Sequence, residues 1–224
     1  MEGLGTGTRL LERDSEDRFA YPIVAIGASA GGLVALERVF QGLPSDLDAA
    51  YVVVQHLSPN LDSHMSELLG RVTRLPVSQA VDGAPLEPQR IYVIPPRKDM
   101  ILSGGSLLLT DKDPRNAPSL PIDTFFRSLA QEAGQRAIAV VLSGTGSDGA
   151  RGVRAINNAG GFVIVQEPSD AEFDGMPRTA LATGAQVPGV NPQLASARAQ
   201  RDQAQLNLDR TVVRAPVSGR VSQS

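Results

Sequence analysis

The segment Gly27-Ala28-Ser29-Ala30-Gly31-Gly32 sets one serine among small residues, with a glycine two positions before it and another two after. G-x-S-x-G is the spacing of a serine held at a sharp strand-to-helix turn, where bulkier neighbours would block the backbone. A hydroxyl placed there sits at the positive end of a helix dipole, beside free backbone N–H groups that can hold a developing oxyanion. On that geometry Ala30 N–H is a candidate donor. The same turn also suits the phosphates of a dinucleotide. Against that, Ser29 replaces the second glycine of G-x-G-x-x-G. The run Tyr51-Val52-Val53-Val54 also leads into Gln55-His56 and not into the acidic residue that would hold a ribose. The motif alone leaves both readings open.

His56 follows an apolar, β-branched run, so it stands at the carboxyl end of an expected strand. Asp148 lies in Ser143-Gly144-Thr145-Gly146-Ser147-Asp148-Gly149, just past the run Ala137 to Leu142. In an open parallel sheet, ligands sit outside the carboxyl ends of the strands. Ser29, His56 and Asp148 therefore converge on one edge as nucleophile, base and a carboxylate that orients the base. The other histidine, His64, falls in a polar helical stretch and is expected to face solvent.

The elements that must position these residues alternate between strand and helix. Strands are expected at 21–26, 50–54, 76–81, 90–94, 137–142 and 161–165, with a hairpin over 100–109 turning at Gly104-Gly105. Helices are expected from Gly32 on, with Leu33, Leu36, Val39 and Phe40 on one face, and at 61–70, 122–133, 149–159 and 177–181. That order predicts an α/β fold, with a mostly parallel sheet covered on both faces.

Composition narrows the chemistry. Cysteine is absent from the 224 residues, which excludes thiolate metal sites, disulfides and cysteine nucleophiles. Two histidines leave little room for a histidine metal site, and neither metal nor cofactor is expected. A net charge of −3 and 4% aromatic residues argue against nucleic-acid binding. No apolar run is long enough to span a membrane. Residues 1–20 read as a polar, acidic lead-in with no signal-peptide core.

Five blocks in order carry a resemblance to a known family: Ile26-Gly27-Ala28-Ser29-Ala30-Gly31-Gly32, Val54-Gln55-His56-Leu57-Ser58-Pro59, Ile94-Pro95-Pro96, Leu142-Ser143-Gly144-Thr145-Gly146-Ser147-Asp148-Gly149 and Phe173-Asp174-Gly175-Met176-Pro177-Arg178. From about Tyr21 to Gly184 the chain resembles the catalytic domain of bacterial chemotaxis protein-glutamate methylesterases of the CheB type. The resemblance implies a three-layer α/β/α domain that hydrolyses γ-glutamyl methyl esters on the cytoplasmic helices of chemoreceptors and in some members deamidates glutamines there. It implies a triad of Ser29, His56 and Asp148, with Thr145 N–H at an oxyanion position. It also implies work in the cytoplasm without a cofactor, with a methyltransferase or receiver protein on another chain as a further partner. Better-known members carry a receiver domain ahead of the esterase, which twenty residues cannot hold. The block variants look more like the esterase part of fused esterase–methyltransferase proteins.

The expected boundaries are a lead-in over 1–20, the catalytic domain over 21–186, and a linker and tail over 187–224. The family normally continues after Gly184 with a short apolar strand and an acidic helical end, whereas here Gln186-Val187-Pro188-Gly189 leads elsewhere. Residues 191–224 carry a charge of +3 against −6 for the remainder. Leu194, Arg201 and Leu208 fall seven apart, as do Ala197, Ala204 and Thr211, which suits a coiled-coil seam. The tail resembles the end of a coiled-coil hairpin and the start of a lipoyl-like motif in membrane-fusion and secretion adaptors, and no function is assigned to it. The expected function is a serine esterase acting on methylated receptor glutamates. Its alternatives are a catalytically silent receptor-binding or scaffolding module and a nucleotide-binding domain.

Overall fold

A computed structural model describes residues 19–55, 64–112 and 120–183. The chain divides into two units, Met1–Val187 and Pro188–Ser224, and every described residue belongs to the first.

Six strands form a parallel sheet: β1 (Ile23–Ala28), β2 (Ala50–Gln55), β3 (Val77–Gln79), β5 (Arg90–Val93), β8 (Ala137–Val141) and β9 (Phe162–Val165). Their order is β3-β5-β2-β1-β8-β9. β4 (Ala84–Pro85), β6 (Lys98–Ser103) and β7 (Ser106–Asp111) make a small antiparallel sheet in the order β4-β7-β6. The helices are α1 (Gly32–Gln41), α2 (Met65–Gly70), α3 (Pro121–Ala133), α4 (Ala150–Asn158) and α5 (Gly175–Ala182).

The period of two along each strand decides which layer each side chain joins. Ile23 and Ala25 of β1, Val52 and Val54 of β2, and Ala139 and Val141 of β8 pack with Ile122, Phe125, Phe126 and Leu129 of α3, Val153 and Ile156 of α4, and Met176 of α5. Ile26 and Ala28 of β1, with Tyr51 and Val53 of β2, point the other way onto Leu36 and Phe40 of α1 and Met65 and Leu69 of α2. Both faces are therefore dry, which is why the central strands read as near-continuous apolar runs. Full burial of each large side chain contributes about 1.5–3 kcal/mol relative to exposure. α3 also supports the small sheet: Leu102 N–H donates to Ser128 Oγ at 3.0 Å.

The expected α/β class and mostly parallel sheet are found, and the Gly104-Gly105 turn joins β6 to β7 as expected, both glycines having positive φ. Two differences have plain causes. β4 went unexpected because two residues, one of them proline, make no pattern. The strand at 76–81 shrinks to three residues at the sheet edge, where half of the backbone groups have no neighbouring strand. Of the helix expected over 61–70, α2 supplies Met65–Gly70 and residues 61–63 lie outside the described residues; His64, at the N-cap of α2, is 75% exposed, as expected, with its Nδ1 3.4 Å from Glu67 Oε2.

Candidate active site

β1 lies between β2, formed just after it, and β8, formed much later. The chain builds outward on one side of β1 and then returns to build on the other, and the connections cover opposite faces. The carboxyl edge of β1 and β8 is thus a topological switch point, where a crevice opens between diverging loops.

Ser29 leaves β1 at this point. The parallel ladder continues one step beyond the strands, with Leu142 N–H donating to Gly27 O at 2.9 Å and Ser29 N–H to Ser143 O at 3.0 Å. The turn then closes through Gly32 N–H to Ser29 O at 2.9 Å, and α1 begins. The left-handed residue of this turn is Gly31, at φ 68°, immediately before α1. Among the described residues the non-glycine positions with positive φ are Gln89 and Arg97. Ser29 is not among them, and the left-handed geometry of the turn falls on Gly31, where it costs least. Gly144 packs against the serine: a Cβ there would stand 2.9 Å from Ser29 Cβ and collide with Met176 Sδ.

The two expected oxyanion donors are aimed by their own peptide planes, because an amide N–H points opposite to the carbonyl it shares a plane with. Ser29 C=O, which fixes Ala30 N–H, accepts Gly32 N–H and, at 3.5 Å, Gln55 Nε2. Gly144 C=O, which fixes Thr145 N–H, accepts Met176 N–H at 2.8 Å. Neither the Ala30 nor the Thr145 N–H has an acceptor among the described residues. Thr145 is exposed and Ala30 half-buried.

Asp148 reaches the same edge from β8 and is buried. Its Oδ2 accepts Ile122 N–H at 3.1 Å and its Oδ1 accepts Asp123 N–H at 2.9 Å, in the first turn of α3. Pro121 starts that helix without a donor of its own. Burial pushes the Asp148 carboxyl above its ordinary 3.8; the N–H donors of Asp123 and Ile122 oppose this, and the Asp123 charge adds to it. Close approach of α3 to β1 is what makes the capping possible. Gly27 is the residue that allows it, since a Cβ there would stand 2.5 Å from Ile122 Cγ2.

Ser29, Ala30, Thr145 and Asp148 are therefore gathered at the carboxyl ends of β1 and β8. His56 lies outside the described residues. Its predecessor Gln55 pairs with Ala28, the predecessor of Ser29. Sequence reasoning missed three residues that organise this edge. Asp123 is buried and accepts Gly152 N–H of α4 at 2.8 Å. Gln55 has an Oε1 that is buried without a hydrogen-bond partner among the described residues. Ser143 joins three segments. The one signal available in advance was that Asp123 falls in the first turn of a helix opened by proline, where carboxylates serve as caps.

A sheet with helices on both faces, bearing a serine turn and a buried carboxylate at its switch point, defines a three-layer α/β/α domain. The family model described as CheB methylesterase matches residues 24–197. The chain belongs to the CheB methylesterase family. It is 37% identical over 169 residues to protein-glutamate methylesterase/protein-glutamine glutaminase 1 of Myxococcus xanthus, a match covering 73% of this chain and 48% of that protein. It is 54% identical over 120 residues to a 104.1 kDa protein of Rhodobacter capsulatus, covering 54% of this chain and 12% of that one. The chain thus spans about half the length or less of these relatives. The crystal structure of the Thermotoga maritima CheB methylesterase catalytic domain superposes with a TM-score of 0.67 at 28% identity, covering 75% of this chain and 92% of that one.

Proposed function

We propose that this chain is a serine esterase that hydrolyses the γ-methyl esters of glutamates on the cytoplasmic helices of chemoreceptors, and that it also deamidates receptor glutamines. The observation that carries this reading is the placement of Ser29 and Asp148 at one switch point, each held by backbone hydrogen bonds, in a chain of the CheB methylesterase family. The name of the Myxococcus xanthus relative joins the same two activities.

His56 takes the proton of Ser29 Oγ as the oxygen attacks the ester carbonyl. The carbonyl oxygen becomes an oxyanion, which Ala30 and Thr145 N–H stabilise; such a donor contributes roughly 10²–10³-fold in rate. The imidazolium returns its proton to the departing methoxide, releasing methanol. Water, deprotonated by the same His56, then hydrolyses the acyl-enzyme to a glutamate carboxylate and free Ser29. With a glutamine substrate the leaving group is ammonia. Asp148 accepts from His56 Nδ1–H, fixing the tautomer and favouring the imidazolium. Two further oxygen lone pairs, bound to Ile122 and Asp123 N–H, keep that carboxylate from rotating.

The work is cytoplasmic on this reading, and among the described residues no helix is long and apolar enough to cross a membrane. Methanol release from a methylated receptor fragment tests it. Release that disappears with Ser29→Ala supports a serine esterase, and binding without turnover by the intact chain would favour a silent docking module.

A further inference from the structure

Ser143 uses every polar group it has, and every partner lies at the functional edge. Its N–H donates to Gln166 Oε1 at 2.8 Å, and its carbonyl accepts Ser29 N–H. Its hydroxyl donates to Ala30 O at 2.9 Å and accepts Phe173 N–H at 3.0 Å. A hydroxyl has one proton, and the longer 3.4 Å approach to Phe173 O is the weaker use of it. The residue is 1% exposed, so these groups have no water to fall back on.

We infer that Ser143 is a positioning residue for the reaction at Ser29, acting through the peptide that joins Ala30 to Gly31. This rests on the reading of Ser29 as nucleophile. The Ala30 carbonyl is anchored by the Ser143 hydroxyl, and the Ser29 carbonyl by Gly32 N–H. Ala30 is thereby held at both of its peptide planes: the preceding plane carries the Ala30 N–H, and the following plane, fixed by Ser143, keeps Ala30 from swinging that N–H out of line. The same hydroxyl pins the 172–174 loop against this turn through Phe173 N–H. A Cβ on Gly31 would lie 2.8 Å from both Ser143 Oγ and Glu172 Oε2, which shows how closely turn, hydroxyl and loop are packed.

The hydroxyl is not what holds the fold together. Leu142 N–H to Gly27 O, Ser29 N–H to Ser143 O, Gly144 N–H to Phe173 O and Met176 N–H to Gly144 O all survive its removal. What its removal frees is the Ala30–Gly31 peptide, the anchor on the far side of the Ala30 N–H, and it takes one acceptor from Phe173 N–H. A loosened oxyanion turn weakens stabilisation of the transition state and leaves docking of the receptor helix unchanged, so kcat moves and KM does not.

The test uses the 224-residue chain with Ser143→Ala and Ser143→Cys, a peptide γ-glutamyl methyl ester as substrate, and a fluorophosphonate that labels the nucleophilic serine. The thiol keeps the side-chain shape but is a poor hydrogen-bond partner, so it carries the test if the alanine variant does not fold. The expected result is a kcat lower by about 10- to 100-fold, the scale of a small misplacement of reacting groups. KM should stay within about twofold, and labelling should slow in parallel. An unchanged kcat in a folded variant, or a raised KM at unchanged kcat, overturns the inference. Ser29→Ala serves as the control. If it is inactive while Ser143→Ala is fully active, only the positioning role fails; if it is fully active, the nucleophile reading fails as well.

Discussion

Asp123 and Asp148 cap each other's helices. Asp148, just before α4, accepts Asp123 N–H in the first turn of α3, while the Asp123 carboxylate accepts Gly152 N–H in the first turn of α4. The bonds are 2.9 and 2.8 Å long, and both side chains are buried. The carboxylate proposed to orient His56 is thus also a structural joint between two helices, and on that proposal altering it has two separable effects.

Asp148→Ala leaves Ile122 and Asp123 N–H buried without partners. The expected loss is about 1–3 kcal/mol of stability, in addition to activity. In a domain of this size that lowers Tm by several degrees. Asp148→Asn keeps one acceptor and is milder in thermal melts, yet it should lose activity by roughly 10⁴-fold, the scale seen when a triad carboxylate becomes an amide. Near-normal turnover in folded Asp148→Asn would remove Asp148 from the mechanism.

Stability should also carry an acid-side signature of this carboxyl. Its folded value lies above the ordinary 3.8, chiefly because of burial. The folded protein therefore holds the proton to higher pH than the unfolded chain does. As pH rises from about 3.8 through the raised value, this group takes stability away. Denaturation profiles of the intact chain and of Asp148→Asn should differ in slope across that window. Parallel profiles would mean that the carboxyl is not displaced upward.

Activity follows a different group. On the proposed mechanism a neutral His56 is the base, so kcat/KM should fall as pH drops through the ordinary range of a histidine, about 6.5. A rate profile for methanol release from about pH 5 to 8 checks this, and a flat profile would exclude a histidine base.

Gly27→Ala should push Ile122 away from β1, because the new methyl would stand 2.5 Å from Ile122 Cγ2, a branched and stiff position. The expected cost is about 1–3 kcal/mol. Since Ile122 N–H is one of the two donors to Asp148, esterase activity should fall as well. Combining it with Ile122→Ala relieves the clash, so the double variant should be more stable than the sum of the single losses. Simple additivity in a double-mutant cycle would argue against this contact.

The last prediction concerns the chain end. The expected boundary was 186, whereas the family match extends to residue 197. We propose that the catalytic domain folds without the segment after Val187. A chain ending there should keep its Tm and its turnover. A Tm lower by several degrees, recovered by extending the chain to 198, would place residues 188–197 inside the domain.

The strands were legible because both faces of the sheet are buried, so β1, β2 and β8 have few polar residues to break the pattern. The serine turn was legible because glycines at 27 and 31 leave few alternatives. Ser143 was not, since a serine inside a glycine-rich loop has no periodicity, and its role exists only when segments 30 and 173 arrive beside it. Asp123 was hidden for the same reason. The capping of α3 by Asp148 also depends on a helix starting 27 residues earlier in sequence, a distance that no local window spans.

The insertion of β8 beside β1 has a consequence for biosynthesis. As the chain leaves the ribosome, β1, α1 and β2 emerge with Ser29 already synthesised, but one side of β1 then has no strand paired to it. The carbonyl that receives Ser29 N–H and the acid that would steer the base are encoded far downstream. Closing so long a loop is slow, and until it happens an apolar strand edge is open to mispairing. On the proposed mechanism the nascent chain thus carries Ser29 and His56 before the acid and the second oxyanion donor exist, and hydrolytic competence arrives only with the joining of the two halves of the sheet.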